Sequence, residues 1–174
     1  MTNDTSILGA AGEYFVMSEL LRRGFIAALA PQGVPNVDVV VTDTAGQRLC
    51  SIQVKSRRDI GSDGGWHMGQ KHENHLADNL YFCFVDFGKT PDAVPVVYVV
   101  PAKIVAELLR LSHQQWLNSP GKHGQARNDT KMRRFLPDYS KIFGDIEKSY
   151  RLGWLDQYKS AWDLLKLRPQ EIEI

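Results

Sequence analysis

The chain has 174 residues, with 21 Lys and Arg set against 20 Asp and Glu, a formal net charge of +1. That length fits one domain with a sound core, and the balanced charge excludes attraction to nucleic acid by bulk charge alone, so any such contact must rest on local patches. Apolar residues make up 43% of the chain, yet none of its apolar runs approaches the roughly 20 residues a bilayer span needs, so no membrane role is expected.

Residues 9 to 23 read as a helix, with Val16, Met17, Leu20 and Leu21 at helical spacing and Gly24 as its C-terminal cap. Phe25 to Leu29 is a short strand, and Ala30 to Val34 a turn carrying Pro31 and Gly33. Val37 to Thr42 is a valine-rich strand. Asp43-Thr44-Ala45-Gly46 forms a hairpin turn, and Leu49 to Ser56 is the partner strand. Arg57 to Gly65 is polar and glycine-rich, a loop. Trp66 to Asn79 fits either a short helix or an extended stretch. Leu80 to Phe87 and Val96 to Val100 lack alternation and read as strands buried on both faces. Ala102 to Trp116 is a helix opened by Pro101. Residues 118 to 138 are polar, then basic. From Ser140 the spacing turns helical again, with Trp154, Tyr158, Trp162 and Leu165 on one stripe.

Helix, three strands, loop, two strands and helix make a mixed α/β layer fold around one sheet. We expect a single domain over residues 1–174, with a core at about 9–116, a basic loop at 118–138 and a helical region at 140–168. Cys50 and Cys83 lie in apolar strands and read as reduced core thiols. Met1 to Ser6 lack the basic and apolar regions of a signal peptide, so the expectation is a cytoplasmic protein.

Four residues stand out. On a strand, successive side chains point to opposite faces, so Gln53 and Lys55 share one face, and Ile52 and Val54 the other. Asp38 lies on the preceding strand, and the hairpin lets it face Gln53. Glu13 occupies the inward stripe of its helix, with Val16 and Leu20 three and seven positions on. Carboxylate and amide oxygens suit a hard divalent cation such as Mg²⁺. A cation so held polarises a phosphoryl oxygen and activates water, and a neighbouring lysine orients that water or stabilises developing charge. The chemistry points to phosphodiester hydrolysis.

Gly12-Glu13 on a helix, Arg23-Gly24-Phe25, Asp38, and Gln53-x-Lys55-Ser56 together resemble the PD-(D/E)XK nuclease superfamily, in its Holliday-junction-resolvase-like and Mrr-like branches. The resemblance covers roughly residues 9 to 100. It implies a restriction-endonuclease-like three-layer α/β fold, with a central mixed sheet flanked by helices. It also implies a metal-dependent endonuclease acting on DNA. Glu13, Asp38 and Gln53 would hold Mg²⁺, or Mn²⁺, and Lys55 would serve as the catalytic lysine. Ser56 would touch the metal water or a phosphate, and a homodimer would cut both strands. Two positions depart from the pattern. Val37 stands where proline usually precedes the aspartate, and Gln53 offers one neutral oxygen in place of an acid. The same residues leave open a catalytically weak module of this fold that binds nucleic acid or a protein partner.

Further phosphate contacts are expected at Arg57 and Arg58, and along the basic arm at Lys122, Arg127, Lys131, Arg133 and Arg134. Trp66, Gln70 and Lys71 are candidates to line the groove, with the indole stacking on a base. His67, His72 and His75 gather near Glu73 and Asp78, but their spacing matches no closed zinc pattern. There is no glycine-rich phosphate loop or nucleophile elbow, so no small-molecule cofactor is expected.

Overall fold

A computed structural model describes residues 5–31, 33–58, 64–144 and 148–166. Parts of the expected 57–65 loop and of the 140–168 region, and the first four residues, lie outside the described ones.

Helix α1 spans Thr5–Arg22 and buries Gly12, Val16 and Leu20. Gly24, at φ +83°, ends it. The Phe25 N–H donates to Leu20 O at 3.2 Å and the Gly24 N–H to Leu21 O at 3.0 Å. This pair of bonds is a Schellman closure, and its apolar contact is supplied by buried Phe25 and Leu20.

Strands β1 (Ile26–Leu29), β2 (Val39–Thr42) and β3 (Arg48–Arg57) follow as an antiparallel meander. The β2–β3 turn is built by Asp43, whose Oδ1 accepts from the N–H groups of Ala45 and Gln47, both at 2.9 Å. A short ribbon strand β4 (Trp66–Gly69) runs into a 3₁₀ turn at Gln70–Asn74. Then β5 (Leu80–Asp86) lies parallel to β3, and β6 (Val96–Pro101) antiparallel to β5. The main sheet has the order β1-β2-β3-β5-β6. Helix α2 (Ala102–Asn118) leaves directly from Pro101. Strand β7 (Met132–Phe135) pairs with β4 in a second, two-stranded sheet, and α3 (Ser140–Phe143) is a single turn.

Two apolar clusters cover the two faces of the main sheet. One contains Val16 and Leu20 of α1 with Val39, Ile52, Val54 and Cys83. The other joins Phe82 and Phe84 to Leu108 and Leu109 of α2, and to Trp66 and Phe135 of the ribbon. Residues of β5 are buried on both sides, as their lack of alternation requires. Burying aromatic and aliphatic side chains at about 25 cal/mol per Å² of apolar surface is what holds these layers together. Both cysteines are buried and neither forms a disulfide.

Three expectations are corrected. The 118–138 segment is not all loop, because β7 forms there against β4. The tail beyond α3 is not one helix. Its aromatic stripe divides between 3₁₀ turns at Trp154–Tyr158 and Trp162–Lys166. Between them Lys159 bridges to Tyr98, and Ser160, at φ +50°, donates its N–H to Val97 O at 2.9 Å. The chain thus crosses the edge of β6, placing Trp154 in one core and Trp162 in the other. Finally, Trp66 is almost fully buried, with Nε1 donating to Val85 O at 3.1 Å, so it cannot stack on a base. Among the described residues, no helix is long and apolar enough to cross a membrane.

Candidate active site

The site forms where α1 meets the end of β2 and the middle of β3. Gly12 makes that approach possible. A Cβ there would stand 1.8 Å from Ser56 Oγ and 3.3 Å from Val54 Cγ1. Glycine alone lets the helix come this near, and the next residue along it is Glu13.

Asp38 leads into β2. In the antiparallel register Val39 faces Ile52, so one step outward Asp38 faces Gln53. Its backbone is tied on both sides, with its N–H donating to Ile52 O and its carbonyl accepting from the Ala30 N–H, each at 2.8 Å. Its Oδ2 accepts from the Val54 N–H at 2.7 Å. One carboxylate oxygen is therefore fixed by backbone, and the side chain is held at the sheet end.

Gln53 is 5% exposed, and its Oε1 is buried with no hydrogen-bond partner. Leaving an amide oxygen so costs about 1–3 kcal/mol, a cost that a bound cation would offset. Lys55 stands two residues on, on the same face. Burial pushes its amine below the ordinary value. The charges of Asp38 and Glu13 pull it back up, and Lys71 pushes it down again. Burial raises the Glu13 carboxyl, the Asp38 charge raises it further, and Lys55 lowers it. Glu13, Asp38 and Lys55 therefore lie within one another's electrostatic reach, with Gln53 facing Asp38.

The donor set is two carboxylates and one amide oxygen. No group of three His, Cys, Asp or Glu that could hold a metal occurs among the described residues, so a cation here could draw on the Gln53 amide beside the two carboxylates. All-oxygen ligation suits Mg²⁺ or Mn²⁺, and the unpartnered buried oxygen of Gln53 fits such an ion.

The three histidines do not gather into a zinc arrangement. His67 is exposed on β4, while His72 and His75 turn inward onto Phe82, with ring centroids 5.8 and 6.1 Å from it. His72 is pushed down to about 4, by burial first and then by the charge of Lys55. His75 is lowered by burial, Lys71 and Lys55. These two imidazoles border the Lys55 face. Their histidines were visible in the sequence, but their orientation depends on the β4–β7 ribbon.

The nucleic-acid contacts divide. Ser56 shares the Ile52 and Val54 face, and its Oγ is buried beneath Gly12 of α1, away from Lys55. Arg57 pairs with Asp86 at 2.5 Å and lies over the Trp66 ring at 4.1 Å. Arg133 is 4% exposed. It is paired with Glu73 and donates to Thr130 O at 2.5 Å and Met132 O at 2.9 Å. Burial and these bonds remove Ser56, Arg57 and Arg133 from the expected phosphate contacts. Arg127 covers Trp116 at 4.6 Å and donates to Pro120 O at 3.1 Å, and Arg134 donates to Gly65 O at 3.0 Å. Arg58, Lys122 and Lys131 are exposed.

Comparison with known proteins adds to this geometry. No protein-family model and no curated protein matches the sequence. Among solved structures, the chain is similar to a bacterial homing endonuclease, I-Ssp6803I. Identity is 14%, coverage 93% of this chain and 91% of that one, and the TM-score 0.51. It is also similar to Hjc, a Holliday junction resolvase of the hyperthermophile Archaeoglobus fulgidus, at 16% identity. That match covers 74% of this chain and 83% of the other, with a TM-score of 0.41. The first likeness shows the fold. The chain has a restriction-endonuclease-like α/β fold, a central mixed sheet flanked by helices.

Proposed function

We propose that this protein is a divalent-cation-dependent nuclease that hydrolyses DNA phosphodiester bonds. The observation that carries the reading is the meeting of Asp38 and Gln53 across the β2–β3 register, with Glu13 and Lys55 both within reach of the Asp38 charge. Fold alone does not assign chemistry, so the weight rests on these four side chains.

In this reading Glu13, Asp38 and Gln53 hold the cation, which supplies Lewis-acid polarisation of a phosphoryl oxygen and a more acidic water when bound. Asp38 is preorganised for this by the Val54 N–H, which leaves its second oxygen free of that bond. Lys55 orients the attacking water. Its lowered affinity for a proton brings the amine nearer to the range in which it can accept one from that water. When protonated, it stabilises the charge that develops on the phosphoryl oxygens. Arg58, Lys122 and Lys131 supply screened, salt-sensitive attraction to the backbone of the nucleic acid.

The test is a cleavage assay on plasmid, junction and single-stranded DNA with Mg²⁺ or Mn²⁺. Cation-dependent cutting that disappears in Lys55→Ala is expected. DNA binding without cutting in any cation would instead assign the chain to the binding module.

A further inference from the structure

We propose that the pocket between α2, β7 and α3 takes an unpaired nucleobase of the substrate strand. This rests on the reading of the protein as a DNA nuclease, and it gives that reading a class of substrate: DNA in which a base stands outside the helical stack.

The pocket has a volume of about 200 Å³. That is room for roughly six waters at their liquid volume of about 30 Å³ each. It is less than the about 300–1,000 Å³ of sites that enclose drug-sized molecules. One flat ring system fits it better than a whole nucleotide. The walls are mainly apolar, from Trp116 of α2, Met132 of β7 and Ile142 of α3. The indole is fixed in place by its neighbours. His113 lies nearly parallel to it, with ring centroids 5.5 Å apart, and is itself tied to Asp129 at 2.7 Å. Arg127 covers the same indole at 4.6 Å.

The polar groups narrow the choice of occupant. Arg133 lines the pocket and is 4% exposed. A guanidinium carries five N–H donors. Here Nε donates to Glu73, and Nη1 to Thr130 O and Met132 O. The two N–H groups of Nη2 take part in none of these bonds, so the pocket offers a donor that needs an acceptor. An aliphatic side chain of a protein partner would leave that donor unpaired and desolvated. A phosphate is not called for, because Glu73 already balances the charge of Arg133. Ser112 Oγ donates its proton to Leu109 O at 3.3 Å, which leaves its lone pairs as acceptors. A neutral ring with acceptors and donors along its edge meets these conditions, and a nucleobase is such a ring.

The setting suits a base that hangs from a backbone. Lys122 and Lys131 are exposed on the basic arm that leads into β7, placed for the flanking phosphates. Through Arg133 and Glu73 the pocket is joined to the 3₁₀ turn at Gln70–Asn74. His72 of that turn packs on Phe82, which pairs with Gln53 in the β3–β5 register. Pocket and candidate active site therefore flank the same turn. A base stacked inside a duplex cannot reach into a concave site, so the occupant is bulged, mismatched or single-stranded.

The experiment is fluorescence anisotropy of the full-length protein in EDTA, so that no strand is cut. The probes are a paired DNA hairpin, the same hairpin with one bulged thymidine, and the same bulge made abasic, which keeps the flexible backbone but removes the base. We expect wild type to bind the bulged thymidine about tenfold more tightly than either other probe. In Ile142→Trp and in Met132→Trp, where an indole fills the cavity, that ratio should fall to within about twofold of one. Met132 is 57% exposed, so its variant keeps the test alive if Ile142→Trp does not fold by circular dichroism. A wild type without the preference, an abasic bulge bound as tightly as the thymidine, or a preference that survives filling would overturn the base pocket. The nuclease reading would stand in each case, because cation-dependent cutting of plasmid decides it separately. A wild type that binds none of the probes and cuts no DNA would overturn both.

Discussion

Gly12→Ala is a sensitive probe of how α1 delivers Glu13 to the sheet. The added methyl would start 1.8 Å from Ser56 Oγ, 3.2 Å from Ser56 Cβ and 3.3 Å from Val54 Cγ1. Rotating the serine removes only the first clash, and the other two contacts are tight enough that Ser56 and Val54 must give by a few tenths of an ångström. Overpacking of this kind costs about 1–3 kcal/mol, offset by about 0.5–1 kcal/mol from replacing a helical glycine. A net loss of about 1–2 kcal/mol is expected. Gly9 on the same helix is the control, because a Cβ there meets nothing within 4 Å. Gly9→Ala should gain up to about 1 kcal/mol. The Ser56 hydroxyl has no hydrogen-bond partner, so Ser56→Ala forfeits none and should recover part of the loss in the double variant. Urea melts of the four variants measure all of this. If Gly12→Ala proves as stable as wild type, the close approach of α1 to β3 is refuted, and with it the reason Glu13 reaches the site.

Three other outcomes follow from the geometry. His72 titrates near 4 when folded and near 6.5 when unfolded, so the unfolded state binds the extra proton between those values. Its stabilisation is complete above 6.5 and is lost as pH falls toward 4, at most about 3 kcal/mol. Urea melts at neutral and acid pH should show a shallower acid loss in His72→Gln, and an unchanged loss would contradict the buried neutral ring. Arg133→Ala strips the partner from Glu73 and two further hydrogen bonds, to Thr130 O and Met132 O, from the fold, so a loss of about 3 kcal/mol is expected by chemical denaturation. A loss below about 1 kcal/mol would put Arg133 back on the surface. Lys122→Ala with Lys131→Ala should weaken DNA binding at all sequences and reduce the salt slope by about 2. A fluorescence-anisotropy series in salt that left the slope unchanged would exclude the arm from the interface.

The central meander was legible because its signals are local. The Asp43 to Gly46 turn sets the β2–β3 register, and that register alone brings Asp38 opposite Gln53. Gly24 marked the end of α1 for the same reason. The ribbon was hidden. Its two four-residue strands are far apart in the chain, and Met-Arg-Arg-Phe reads as basic until the pairing turns Arg133 inward toward Glu73, 60 positions away. The tail misled by its period. A stripe from Trp154 to Leu165 fits a helix, yet the bridge at Lys159 breaks it and sends its two tryptophans to opposite faces. Ser56 was readable from strand alternation, which groups it with Ile52 and Val54. The resemblance placed it at the chemistry instead, and alternation was the better guide. The inward turn of His72 depends on Gly69 and on Phe82 of a distant strand, so no local pattern announces it.

The most direct measurement is a crystal structure of the protein soaked in Mn²⁺, with anomalous scattering used to locate the ion. A single peak about 2.1 Å from carboxylate oxygens of Glu13 and Asp38 and from Gln53 Oε1 is expected. A saturating soak that leaves that pocket without a peak, or places the ion elsewhere, would contradict a cation-dependent nuclease built on these residues.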